Sequence, residues 1–365
     1  MGISSVRIEL EKDSYDVLIG NNFLERKLFK DLVVNREVML VYDKNLDSAE
    51  IKDTQSAYLN LGATVSVSVG IEATEENKSY RSLNEIQNLL IENEFSRDCL
   101  LVGFGGGIIC DLTGFAAATF LRGVDFILIP TSLLAQVDAS VGGKTAINHP
   151  KGKNLIGSFH QPKRVFIETA YLSTLPEREI RSGLVEMIKH GLIIDKNYFD
   201  WIEENVDSII KLNESIIIEA IKRSVEIKSN IVAMDEKELG IRALLNFGHT
   251  FGHALELIGG YKDYNHGEAV ALGILSASKL SQMTENLSEE EIGRIHSLFK
   301  KAAIGTKTIK EINPEDLYAA MQSDKKKQGK NLNFIVLEQI GKAKKVSNLK
   351  KEIVLEAIKN SLLPA

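Results

Sequence analysis

Residues 99–120 read Cys99-Leu-Leu-Val-Gly-Phe-Gly-Gly-Gly-Ile-Ile-Cys-Asp-Leu-Thr-Gly-Phe-Ala-Ala-Ala-Thr-Phe120. Cys99 to Val102 is a short apolar run, as a buried strand requires. It enters Gly103-Phe-Gly-Gly-Gly107, and Ile108 to Phe120 follows as a small-residue helix. A strand that passes through glycines into a helix presents backbone N–H groups and a helix N-terminus, which suits a phosphate. Four glycines in five residues exceed what a tight turn at positive φ needs, so ligand approach is the favoured reading. The spacing is not Gly-x-Gly-x-x-Gly, because position 108 is Ile, so the ordinary dinucleotide fingerprint fails. Asp111 follows the cluster, where it can orient a ribose or a nicotinamide.

The flanking segments repeat the strand–helix alternation. Val38 to Val41 is an apolar run ending at Tyr42-Asp43, and a sheet-end acid such as Asp43 suits a ribose hydroxyl. Ala63 to Val69 alternates and is rich in Val and Thr, so it predicts a strand. Ser82 to Glu94 carries Leu83, Ile86, Leu89, Leu90 and Ile91 at helical spacing. Phe126 to Ile129 predicts a further strand, closed by Pro130. Such alternation predicts an α/β domain with a mostly parallel, Rossmann-like sheet. From about Glu177 long helical patterns dominate, such as Tyr198–Leu212 and Ile216–Met234. The expected domains are therefore 1–177, α/β, and 178–365, mainly α-helical.

Composition excludes several classes. The chain has 365 residues, 44% hydrophobic and 26% charged, which suits two folded domains. A net charge of −6 argues against a nucleic-acid binder, for which a basic footprint is expected. Cys99 and Cys110 form no Cys-x-x-Cys pair, which fits a reducing, cytoplasmic setting. The N-terminus has no apolar signal core, and Val6 breaks the myristoylation pattern. The charge-free stretch from Phe126 to Val137 is too short to span a bilayer, so no membrane partner is expected.

Two further constellations carry chemistry. Arg181-Ser-Gly-Leu-Val-Glu-Met-Ile-Lys-His-Gly191, Asn246-Phe-Gly-His-Thr-Phe-Gly-His253 and Asn265-His-Gly-Glu268 together suggest a metal site. His249 and His253 share one helix face, as do Glu186 and Lys189. His266 stands before the apolar run Ala269–Leu275, where a helix begins. One carboxylate and two imidazoles with an open position suit a catalytic divalent ion such as zinc. Packed histidines are the plainer reading, but Gly248 and Gly252 beside them imply close approach of a ligand or another backbone. The second constellation is Asp138-Ala-Ser-Val-Gly-Gly-Lys144 with Asn148-His-Pro-Lys-Gly-Lys-Asn154. Lys144, Lys151, Lys153 and Asn154 make a local anion site in an acidic protein. Asp138 stands where a P-loop needs Gly, so that motif is not satisfied. The run Asp324-Lys-Lys-Lys327 is, by itself, a solvated face.

These segments also occur in one characteristic order. Gly105-Gly-Gly, Asp111-Leu-Thr-Gly-Phe, Leu121-Arg-Gly, Pro130-Thr, Gln136-Val-Asp, Val141-Gly-Gly-Lys-Thr, Asn148-His-Pro-x-Gly-Lys-Asn, Gly183-Leu-x-Glu-x-Ile-Lys, Arg242-x-Leu-Leu-Asn-x-Gly-His and His266-Gly-Glu resemble the 3-dehydroquinate synthase family. The likeness is dense from Asp43 to His266 and looser to Ile340-Gly-Lys-Ala. It implies a shikimate-pathway enzyme with a dehydroquinate synthase-like fold. The implied reaction turns 3-deoxy-D-arabino-heptulosonate 7-phosphate into 3-dehydroquinate and phosphate, using NAD and one divalent metal, zinc or cobalt. NAD would be reduced and reoxidised within each turnover, with phosphate elimination, ring opening and aldol closure.

The resemblance carries residue roles. Glu186, His249 and His266 match the metal ligands. Lys144, Asn154 and His253 match the phosphate positions. Lys228, Arg242 and Asn246 match the carboxylate group, where Arg grips bidentately. Asp138, Lys153 and Lys189 match the same catalytic site, and Lys325 is the expected member of its lysine run. Asp43, Glu75, Lys78, Gly106, Gly107, Asp111, Thr131 and Ser132 match the NAD side, with Lys144 and Lys153 beside it. Arg122 matches an arginine that reaches a neighbouring subunit, implying a homodimer. Cys110 stands where the family has Gly, and Thr74-Glu-Glu-Asn-Lys-Ser79 lacks the usual Gly before Glu75. Other sugar-phosphate cyclases and glycerol dehydrogenase-type alcohol dehydrogenases share this architecture. Arg242 with Lys228 favours an acidic substrate, because a neutral one leaves buried cations unpaired. A catalytically dead scaffold is disfavoured by the complete ligand triad.

Overall fold

The computed structural model describes residues 2–327 and 332–364, the side chains of 324–327 excepted. The chain divides into two units, Met1–Leu175 with Lys228–Glu236, and Pro176–Ile227 with Lys237–Ala365. The strands of the first unit are β1 (Ser4–Ile8), β2 (Tyr15–Gly20), β3 (Glu37–Asp43), β4 (Val65–Ile71), β5 (Leu100–Gly105), β6 (Asp125–Pro130), β7 (Lys144–His149), β8 (Gly152–Phe159) and β9 (Arg164–Glu168). Its helices are α1 (Lys30–Val33), α2 (Ser48–Asn60), α3 (Tyr80–Glu92) and α4 (Gly107–Thr119).

One seven-stranded sheet has the order β1-β2-β9-β6-β5-β3-β4. β1 runs antiparallel to β2, and the other neighbouring pairs are parallel. Val38 to Val41 on β3 and Leu100 to Val102 on β5 are fully buried, as strands covered on both faces require. Leu40, Val102 and Ile127 share a core with Phe23, Phe29 and Phe166. Each such side chain contributes about 1.5–3 kcal/mol by leaving water. The chain places β4 outside β3 and then crosses back to β5. At such a reversal the carboxyl ends of the flanking parallel strands form the ligand crevice of an α/β sheet.

The predicted strands and helices of this unit are present within a few residues of their expected bounds. The edge strand β1, the strands β2 and β9 and the β7–β8 hairpin are additions. The lysine-rich stretch expected to bind anions is that hairpin, antiparallel, with Pro150 and Lys151 at its tip. The return of 228–236 to the first unit differs from a single cut at 177/178. Lys228 and Ser229 explain it, through bonds to Asp138 and to the Arg7 carbonyl.

The second unit contains α5 (Glu177–Ile194), α6 (Lys196–Ile210), α7 (Glu214–Met234, counted with the first unit from Lys228), α8 (His249–Ile258), α9 (His266–Glu285), α10 (Glu289–Lys301), α11 (Pro314–Lys327), the hairpin β10 (Asn333–Gln339) and β11 (Lys342–Ser347), and α12 (Lys351–Ser361). α5 and α9 are buried over most of their circumference, as helices at the centre of a bundle must be. Glycines let α8 and α9 cross closely: a Cβ on Gly273 would lie 2.1 Å from the Gly248 carbonyl oxygen. Gly248 and Gly252 thus serve the approach of another backbone. The α9 N-terminus is fixed by a capping box. The Asn265 side chain accepts the Glu268 N–H, and Glu268 accepts the Asn265 N–H, both at 2.9 Å. Among the described residues no helix is long and apolar enough to cross a membrane.

Candidate active site

The carboxyl edge of the sheet gathers the residues expected to meet a dinucleotide. Asp43 closes β3, Gly105 closes β5, and Thr131 and Ser132 follow β6. The Thr131 N–H donates to the Gly105 carbonyl at 3.0 Å. Asp43 Oδ1 accepts from the backbone and side chain of Asn45, each at 3.0 Å. No glycine from 103 to 107 has positive φ, so turn geometry is not what requires them. Gly103 and Gly105 serve packing, since a Cβ there would lie 2.8 Å from Leu128 and 2.7 Å from Ile109 respectively. Gly106 differs: its Cβ would meet nothing nearer than Ser132 Oγ at 3.5 Å. Gly106 caps α4 and Gly107 is its first residue. The open approach to a helix N-terminus fits a phosphate of NAD, and ligand approach narrows to Gly106, since a Cβ on Gly107 would lie 3.2 Å from the Ala139 Cβ.

Beside this edge lies a charged network within the same unit. The Lys78 ammonium is shared by the Asp111 carboxylate and Asn154 Oδ1. Burial pushes the Asp111 carboxyl up, and Lys78 offsets this in part. Glu75 accepts from Asn148 Nδ2 at 2.7 Å and pairs with Lys153 at 3.0 Å. Burial works to raise Glu75, but Lys153, Asn148 and Lys78 outweigh it and hold the carboxyl below the usual range. The Asn154 N–H donates to Asn148 Oδ1 at 3.0 Å, with Asn154 itself at φ 54°. Expected cofactor residues (Glu75, Lys78, Asp111) and expected substrate residues (Lys153, Asn154) therefore form one network. Asn148, present in the sequence motif without a role, is its hub.

Lys144 is exposed at the start of β7, after Gly142 and Gly143 at φ 98° and 64°. The Gly142 N–H donates to the buried Tyr15 hydroxyl at 3.0 Å, which anchors this turn. A strand follows Lys144 rather than a helix, so the turn is not a P-loop. Lys228 donates to both the carboxylate and the backbone carbonyl of Asp138. This corrects one expectation: Lys228 has an anionic partner in the protein and is not left unpaired by a neutral substrate.

In the second unit, Glu186 on α5, His249 on α8 and His266 on α9 bring one ligand atom each within 4.8 Å of one another. Glu186 is 0% exposed. Its Oε1 lies 3.6 Å from Nε2 of both His249 and His266 and accepts no hydrogen bond. Ligand atoms about 2.0–2.2 Å from a tetrahedral zinc stand roughly 3.3–3.6 Å apart. A buried, unsatisfied carboxylate oxygen facing two ring nitrogens at that spacing fits a divalent ion. His249 Nδ1 lies 3.2 Å from the Phe247 carbonyl, which leaves Nε2 for the ion.

The electrostatics agree with that fit. Burial works to raise Glu186, but Lys189, His249 and His266 hold it well below the usual carboxylate range. Burial, with Lys189, pushes His249 well below its ordinary value, toward the neutral form that ligates metals. For His266 burial lowers the value, but Glu186 and Glu256 outweigh it and raise the imidazole to about 10. Two carboxylates around one ring favour positive charge there, and a divalent cation meets the same demand.

His253 completes the group, its ring centroid 5.4 Å from His249 and 6.3 Å from His266. Lys189 donates to Glu186 Oε2. Arg242 is buried, 1% exposed, and Asn246 Nδ2 donates to Glu238 Oε1 at 2.6 Å. The side chain of Lys325 lies outside the described residues. Three residues without an expected role support the site: Glu256, Glu238 and Ser182. Ser182 Oγ accepts the Gly267 N–H at 3.1 Å and so ties α5 to the start of α9. Spacing was the available signal, since Ser182 stands one turn before Glu186 and Glu256 two turns after His249.

Known proteins resemble this chain over nearly its whole length. The family models described as 3-dehydroquinate synthase N-terminal and C-terminal match residues 68–182 and 183–327. The chain is 43% identical over 345 residues to the 3-dehydroquinate synthase of Nitrosospira multiformis, covering 94% of each chain. It is 43% identical over 361 residues to that of Nitrosomonas europaea, covering 98% of this chain and 97% of the other. A crystal structure of 2-deoxy-scyllo-inosose synthase complexed with carbaglucose-6-phosphate, NAD+ and Co2+ shares the fold. Its TM-score is 0.88 at 23% identity, over 98% of this chain and 100% of that one. Both halves match in order, and the relatives align nearly end to end, so the chain belongs to the 3-dehydroquinate synthase family.

Proposed function

We propose that this chain carries out the reaction of its family, conversion of 3-deoxy-D-arabino-heptulosonate 7-phosphate to 3-dehydroquinate and phosphate. The observation that carries the metal-dependent part is the buried Glu186 oxygen facing His249 and His266 at 3.6 Å. Glu186, His249 and His266 would hold the divalent ion. Asp43, Gly106, Gly107, Asp111, Thr131 and Ser132 would hold NAD, with Glu75 and Lys78 alongside. When bound, NAD would supply reversible hydride chemistry for the substrate and zinc or cobalt would supply Lewis acidity toward its hydroxyls.

The chain's own residues do the rest. Arg242 and Asn246 hold the substrate carboxylate; a buried guanidinium is suited to that planar anion. In the first unit Lys144 and Asn154, with Lys153 beside them, are the residues that would meet the phosphate. His253 is placed to move a proton during phosphate loss, since it stands one turn from His249 without belonging to the triad. Lys189 keeps Glu186 ionised, and Asp138 holds Lys228 in place. Arg122 sits at φ 69° next to Leu121, which is 42% exposed at φ 45°. The match of Arg122 to an arginine that reaches a neighbouring subunit in the family supports a homodimer as the working form. The same proposal places the enzyme in the cytoplasm.

The test is phosphate release from the keto acid phosphate. Treatment with a strong chelator should abolish it, and added zinc or cobalt should restore it. Full release by the chelated, metal-free protein would refute the metal assignment.

A further inference from the structure

Glu256 lies on α8 two turns after His249 and three residues after His253, on the face that carries both imidazoles. It is 4% exposed. A carboxylate that deep is costly unless a charge or donor meets it. Its Oε1 stands 3.7 Å from Nδ1 of His266, while Nε2 of the same ring stands 3.6 Å from Glu186 Oε1. The two nitrogens of one imidazole thus face two different carboxylates. A ring that gives its Nε2 lone pair to a cation must carry its proton on Nδ1, and that buried N–H needs an acceptor.

His249 meets this requirement with the Phe247 carbonyl at 3.2 Å. His266 is the first residue of α9, so no earlier turn of its own helix supports the ring. We propose that Glu256 is a positioning residue, whose buried carboxylate orients the His266 imidazole so that Nε2 faces Glu186 and His249. It acts through His266 and touches neither substrate nor cation. A competing arrangement exists, because His253, Glu256 and His266 also bring ligand atoms within 4.8 Å. An ion held there would sit on the Nδ1 side of His266, with Glu256 as a direct ligand.

The test uses the cobalt-loaded full chain, challenged with graded chelator while bound metal and the visible ligand-field spectrum are read. Glu256→Gln should bind cobalt about 10–100-fold more weakly, the usual cost of losing a group that orients a ligand. Its spectrum, once loaded, should match the parent's. Glu256→Asp keeps the charge and should bind with an affinity between the two. A Gln variant that binds like the parent overturns the inference. A changed spectrum in the loaded Gln variant, or a folded Gln variant that takes no cobalt, makes Glu256 a ligand and overturns it too. Should the Gln variant not fold, the Asp variant decides: weaker binding with the parental spectrum supports the role, and parental affinity refutes it. The inference rests on the metal assignment above. A parent chain that binds no cobalt refutes that assignment, whereas equal binding by parent and Gln variant refutes this inference alone.

Discussion

Glu186 is the residue on which the second unit's chemistry turns. Its buried Oε1 faces His249 and His266 at 3.6 Å, and its other oxygen takes the Lys189 ammonium. His249→Ala removes one of the three proposed ligands and should leave the protein folded but without its ion. A catalytic site with an open position need not hold the fold together, unlike a closed structural zinc. His253→Ala should retain the ion and lose turnover. Metal content per chain separates the two; equal loss in both variants would make His253 a ligand. The sequence made His249, His253 and His266 conspicuous, because three of seven histidines fall so close together. It did not divide them into ligands and phosphate contact; the family resemblance did. Glu256 and Glu238 were missed because helical spacing alone does not single out one acid among many until its burial and partners are known. The pairing of Lys228 was not visible for the same reason, since its partner Asp138 lies 90 residues away.

Among the elements, the start of α9 matters most, because His266 is its first residue. Burial pushes Glu268 up, but the Arg178 guanidinium and the Asn265 N–H outweigh it and hold the carboxyl below its ordinary 4.5. A depressed folded value means stability that is full above the unfolded value and is lost as pH falls through the folded one. Glu268→Ala should therefore cost about 0.5–2 kcal/mol at neutral pH, the usual value of a helix cap. That deficit should shrink as the pH is lowered past 4.5. Denaturant titrations of parent and variant at both pH values measure it. A deficit independent of pH would mean that the charge of Glu268 contributes nothing.

Strands β3, β5 and β6 were legible because burial on both faces demands unbroken apolar runs. β8 was not, because its residues are mostly exposed or half-buried and include Lys153 and Asn154. The purpose of Gly248 and Gly252 became clear only once α9 was seen against them. Sequence alone allowed a ligand or a backbone there.

At the scale of the whole molecule, the proposed dinucleotide edge belongs to the first unit and the proposed metal triad to the second. The change to long helical patterns from about Glu177 is what suggested two domains in the sequence. The return of Lys228–Glu236 to the first unit did not show, because a helical pattern carries no mark of which core it joins. The homodimer proposal has its own test. Arg122→Ala and His249→Ala should each be inactive alone. Mixed dimers should recover activity, because one site then draws an intact Arg122 from the partner. No recovery on subunit exchange would place Arg122 in its own chain's site.

In the proposed reaction NAD is reduced and reoxidised within each turnover, so redox chemistry occurs without net redox. The direct measurement follows phosphate and NADH together during turnover of the keto acid phosphate with NAD present in less than substrate amounts. The account predicts many phosphates released per NAD and no accumulation of NADH. NADH rising in step with substrate consumption would contradict it and make the chain a dehydrogenase.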